Sequence, residues 1–203
     1  VSLAEFQRAL TDMTLDVRLA SRVKRDGEST LAPYGLTDRE RARLTRISRQ
    51  PGMALNCTLA RANRFTSICD AFPMTCVVLE PWLRDLLDDL WSTGAPADYQ
   101  LRGEIDLFAR CVEREWLPRK DIEYLREIFD YERACHELVT ASRGSSLEAM
   151  AGTVRRIYFS HDPSHILPPL QDATAPPPGL PITPHIVEVE IRDGALETRW
   201  HRT

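Results

Sequence analysis

The sequence predicts a mainly α chain, an N-terminal helical domain with a small C-terminal β-hairpin or sheet appended to it. Three observations carry this reading. Apolar residues recur at three- and four-residue steps through most of the first 144 residues. Residues 161–184 then hold eight prolines, too many for regular structure and suited to an extended surface crossing. The closing stretch HIVEVEIRDGALETRWH alternates apolar and polar residues about an Asp-Gly pair, the signature of a hairpin. The expected organisation is a helical domain over 1–144 and a proline-rich crossing with a β appendage over 145–203.

Each element has its own warrant. Leu3, Phe6, Leu10, Met13, Val17 and Ala20 share one helical stripe, which Gly27 and ESTLAPYG interrupt. Thr37 is an N-cap candidate, with Glu40 three residues on to complete a capping box. Gln50-Pro51-Gly52 ends that helix, and the next is expected from about Met53 to Phe72. Pro73 has no N–H to continue the ladder and pushes Phe72 away from helical angles, so Phe72-Pro73 is a corner, followed by a short turn. Pro81 suits the first turn of PWLRDLLDDLW, and STGAPADYQ is a loop. Two further helices are expected in LRGEIDLFARCVEREW and RKDIEYLREIFDYERACHELVTAS. Ile122, Leu125, Ile128, Phe129, Cys135 and Leu138 mark the buried stripe of the second. GTVRRIYFS reads as a short strand. Ile186, Val187, Glu188, Val189, Glu190 and Ile191 form the alternating arm of the hairpin, and Leu196, Thr198 and Trp200 lie on its return.

A chain of 203 residues can hold one good-sized domain with a small appendage. No window offers about 18 consecutive apolar residues, and the first residues lack the apolar core of a secretory signal, so the expected location is cytoplasmic. The five cysteines (57, 69, 76, 111 and 135) are odd in number and show no Cys-x-x-Cys spacing. They read as small buried hydrophobes rather than a disulfide or zinc framework. Residues 1–66 hold 12 Lys and Arg against 7 Asp and Glu, whereas residues 67–150 hold 9 against 17. A basic front on an acidic body points to an oriented surface and an acidic partner.

Motifs of catalysis are missing from the sequence: it has no Gly-rich phosphate loop, no GxSxG and no HExxH. His161 and His165, with Asp162, give one alternative, a metalloenzyme, but Pro163 lies between the histidines, the segment is a loop and no third ligand is evident. His136 beside Cys135 reads as a packed histidine. Glu132 lies near the buried stripe and needs a partner there, for which Arg61 or Arg64 is the expected source. A second alternative is a helix-turn-helix DNA-binding protein. Arg39, Arg41, Arg43, Arg46 and Arg49 crowd one helix and Arg61, Asn63 and Arg64 the next, as phosphate and base contacts would require. The overall charge of −4 argues against it.

The segments LAEFQRAL (3–10), ARANRFTSICDAFPMTCVVL (60–79), WLRDLLDDLW (82–91) and YLREIFDYERACHEL (124–138) occur in an order that resembles a bacterial family bearing the name of a DNA-binding domain. The sharpest matches are Arg61-Ala62-Asn63 and Phe72-Pro73-Met74-Thr75, and Glu132 matches an acidic position of a late helix. The strand, proline-rich crossing and Arg192-Asp193-Gly194 resemble the family's C-terminal part. One departure is Asn56, Cys57 and Thr58, where the family often has Tyr-Arg-Asn. Proteins of this kind are partner subunits of multinuclear non-heme iron-dependent oxidases that modify cysteine or other residues of ribosomally made precursor peptides, as in methanobactin and 3-thiaglutamate biosynthesis. The resemblance implies an accessory, non-catalytic subunit without a cofactor of its own. It would form a heterodimer with the oxidase, which holds the iron, and help recognise the leader of the precursor peptide. Arg61, Asn63, Arg64, Phe72 and Pro73 are then candidates both for holding the corner and for facing the oxidase. Residues 186–191 are candidates for an edge to which an extended leader adds by main-chain hydrogen bonds. The other role open to the hairpin is to cover the helical core.

Overall fold

The computed structural model describes residues 3–92, 102–119, 122–144 and 153–203. It is mainly helical with a three-stranded antiparallel sheet at its C-terminal end. Among the described residues no helix is long and apolar enough to cross a membrane. The chain forms two compact units, one of Val1–Ser67 with Asp85–Leu107 and one of Ile68–Arg84 with Phe108–Thr203. The expected boundary at residue 144 therefore falls inside the second unit. The loop STGAPADYQ lies, apart from its first serine, outside the described residues.

The first unit opens with α1 (Leu3–Leu15) and α2 (Val17–Asp26). One apolar stripe runs through both, yet the helix breaks at Asp16. The Asp16 carboxylate turns back to accept the N–H of Arg18 at 2.8 Å and caps a new helix. After a single 3₁₀ stretch (Gly27–Leu31), α3 (Asp38–Ser48) begins at the expected capping box. Thr37 Oγ1 accepts the Glu40 N–H, and Glu40 Oε2 accepts the Thr37 N–H. α4 (Pro51–Ala71) follows at once, with Pro51 where its missing N–H costs nothing. Ala9, Met13, Val23, Leu31, Leu44 and Cys57 centre this unit's core.

The second unit takes the end of α4, then α5 (Pro73–Val78) where only a turn was expected, and the start of α6 (Glu80–Ser92). α7 (Arg102–Cys111) leads into a π-turn (Val112–Trp116). α8 (Leu125–Gly144) starts after Tyr124, whose φ of 62° sits in the left-handed region and ends any helical run through Ile122. β1 (Val154–Phe159) pairs antiparallel with β2 (His185–Arg192), which pairs antiparallel with β3 (Ala195–Arg202). Asp193 and Gly194 have φ of 54° and 81°, the two positive values that a two-residue type I′ hairpin requires.

The proline-rich crossing is a correction. Pro163 opens a 3₁₀ turn, and Pro168 and Pro169 start a short helix, α9 (Leu167–Gln171). In a first turn the N–H groups have no intrahelical acceptor, so proline loses nothing there. Ile166, Leu167 and Leu170 thereby join Ile128, Leu138, Phe159, Val187 and Val189 in one core under the sheet.

Candidate functional site

Phe72 leaves the helical region (φ −134°, ψ 52°), and Pro73 begins α5. The Phe72 ring is buried, stacked on Phe129 at 5.3 Å and tilted against Phe108 at 5.6 Å. Pro73 supplies no N–H, and the next two donors of α5 go to one carboxylate. Glu132 Oε1 accepts Met74 N–H at 2.6 Å and Oε2 accepts Thr75 N–H at 2.8 Å. The acid thus caps the corner from the middle of α8. Burial pushes its carboxyl up to about 7 against the pull of those hydrogen bonds. The expected pairing of Glu132 with Arg61 or Arg64 is therefore corrected, because main-chain donors satisfy it.

The two arginines are committed within the first unit. Arg64 lies 3% exposed against Glu104 at 1%, with Nε 2.6 Å from Oε1 and Nη2 donating to Oε2 at 3.0 Å. Trp91 Nε1–H donates to the same Oε2 at 3.2 Å. Arg61 pairs with Asp88, and both guanidinium groups lie over the Trp91 ring, 5.1 and 4.9 Å from its centre. Arg64 is thus unavailable to a base edge. Phe72 and Arg64 are framework residues, whereas Asn63 and Pro73 are exposed. Asn63 continues a row with Leu55 and Leu59, which are 59% and 52% exposed at four-residue steps on α4. That apolar row was missed in the sequence, since Leu at helical spacing reads as core.

The alternating strand 186–191 is not an edge. β2 is the middle strand, hydrogen-bonded on both sides, so no further chain can add to it. His185, Val187 and Val189 are buried; Ile186, Glu188 and Glu190 are half-buried, Glu188 receiving Arg156 and Glu190 receiving Arg192. The edges are β1 and β3.

β1 has the more developed surroundings. α8 runs antiparallel beside it: Glu127 accepts the N–H of Ser160 at 2.8 Å just past one end of the strand, and Glu137 meets Arg155 at 3.8 Å near the other. Ten helical residues rise about 15 Å and five strand residues about 17 Å, so helix and strand stay level along this length. Between them lies an open groove of about 620 Å³. Its helical wall carries Arg126, Asp130, Arg133 and Glu137, one face of α8; its strand wall runs from Arg155 to Tyr158. Neither this row of charges nor its position beside a strand edge was read from the sequence.

Asp162 accepts the N–H of Ser164 at 2.9 Å and caps the 3₁₀ turn, while His161 faces Glu127 at 4.0 Å. Among the described residues no three His, Cys, Asp or Glu side chains gather as a metal would require. All five cysteines are free; Cys57 and Cys76 are buried and Cys69, Cys111 and Cys135 partly so. No family model, curated protein or solved structure matches the chain.

Proposed function

We propose that the chain is an accessory, peptide-recognising subunit that works beside a multinuclear iron-dependent oxidase and leaves the oxidation to it. The observation that carries the reading is the open edge of β1 facing a walled, charged groove. An extended precursor segment gains main-chain hydrogen bonds along such an edge and places alternate side chains against α8. The Leu55, Leu59 and Asn63 row on α4 supplies the apolar surface on which the oxidase docks.

The test is co-expression with a multinuclear iron-dependent oxidase and its precursor peptide. The chain should co-elute with the oxidase as a heterodimer, and added precursor should slow amide exchange in residues 154–159. Separate elution, or unchanged exchange in β1 with precursor bound elsewhere, sinks the assignment.

A further inference from the structure

The charges of the β1 groove are unequally satisfied. Arg133 is held by Glu113 and by Glu137, the latter at 3.0 Å. Arg155 is also drawn to Glu137, and Arg156 to Glu188 at 2.8 Å. Glu127 takes both the N–H and the hydroxyl of Ser160. Asp130 differs. It lines the same groove, half-buried, and among the described residues its carboxylate has no ion pair and no hydrogen bond. Arg126, one turn earlier on α8, attracts it without pairing, and burial holds its carboxyl above the usual range. A half-buried carboxylate with neither full hydration nor a partner is under-compensated, and the missing complement is a cation.

Its position says where that cation comes from. Asp130 is three residues beyond Glu127 on α8, so it stands about level with Tyr158 and Phe159 on the strand. A chain lying along β1 turns alternate side chains toward α8. One of those meets Asp130, flanked on the same wall by Arg126 and Arg133.

The geometry points to Asp130 as the residue that sets specificity in this groove, by taking a lysine or arginine side chain from an extended peptide paired with β1. This rests on the peptide-binding reading above and names the chemistry that it selects. The acid is exposed enough to be reached and buried enough for a wrong charge to be penalised.

The experiment pans a phage-displayed library of random dodecapeptides on the immobilised full chain, in wild type, Asp130→Asn and Asp130→Lys forms, each checked for folding by circular dichroism. Wild-type winners should share one basic position. Asp130→Asn should weaken those peptides about tenfold, as expected for loss of a half-buried charge pair, and Asp130→Lys should enrich an acidic residue at that position. Synthetic winners N-methylated at alternate amides test strand pairing separately, since one methylated set removes the required donors. Loss of binding on methylation without any charge preference overturns the role of Asp130 and leaves the β1 edge standing. Winners indifferent to methylation, or no winners from folded protein, overturn both. Acidic winners on wild type overturn the assignment of charge.

Discussion

The carboxylate of Glu132 accepts the main-chain N–H of Thr75 at 2.8 Å, across 57 residues of chain. A side chain fixed in α8 therefore stabilises the start of α5, directly after Phe72-Pro73. Replacing Glu132 with Ala leaves two buried donors without an acceptor and should cost about 2–4 kcal/mol, measured by urea unfolding. Glu132→Gln keeps one acceptor and should cost less.

The same acid gives a pH dependence of defined sign. Its native value of about 7 lies above the ordinary 4.5, so the fold favours the protonated form. That stabilisation is complete below about pH 4.5, falls as pH rises through 7, and is gone above it. The shift corresponds to at most about 3 kcal/mol. Comparing wild type with Glu132→Gln at pH 5 and pH 8 isolates this contribution. A difference in unfolding free energy that is the same at both pH values contradicts it.

Breaking the buried Arg64–Glu104 pair from one side should be far worse than removing both charges. Arg64→Met strands a carboxylate that is 1% exposed and should cost about 3–5 kcal/mol. The double variant Arg64→Met, Glu104→Met should recover most of this. A residual loss of about 1–2 kcal/mol is expected from the Trp91 N–H left without its acceptor. Additive losses in a double-mutant cycle would refute the pairing.

Gly194, at φ 81°, is the position in the β2–β3 turn where a branched side chain is most strained. Gly194→Val should destabilise the fold by about 1–2 kcal/mol, whereas Asp193→Asn, also tolerant of positive φ, should be nearly neutral. Thermal unfolding of the two variants separates these outcomes.

Cys69 and Cys76 should differ sharply in reactivity. A hydrogen bond from Cys76 lowers the Cys69 thiol, while that contact and burial push Cys76 far upward. Brief treatment with iodoacetamide at pH 8, followed by peptide mass spectrometry, should find Cys69 alkylated well ahead of Cys76, and Cys76→Ala should slow labelling at Cys69. Equal labelling would contradict the assigned contact.

Local rules read from the sequence reached far into this fold. The Thr37–Glu40 capping box, the Phe72-Pro73 corner and the Asp193-Gly194 turn each depend on residues close in sequence, and each is present. The break at Asp16 escaped because the apolar period runs through it, and only the capping side chain interrupts the helix. The placement of β2 in the middle of the sheet escaped for another reason. Alternation says that a strand is half-buried but not how many neighbours it has, and β1 joins it across the proline-rich crossing. The partner of Glu132 was illegible because a main-chain N–H has no letter in the sequence. Glu104, Asp88 and Asp130 were missed because an acidic residue among many others gives no local sign of what it meets.

The path of the chain between the two units has a practical consequence. It crosses at Ser67–Ile68, at Arg84–Asp85 and at Leu107–Phe108, within α4, α6 and α7. No single cleavage separates the two units. A C-terminal piece beginning at residue 108 would keep the sheet and Glu132 but lose Met74 and Thr75, leaving a charged group and an apolar helix face with nothing to meet. Excised versions for crystallography or fusion should therefore keep the segment around α5, which covers that face.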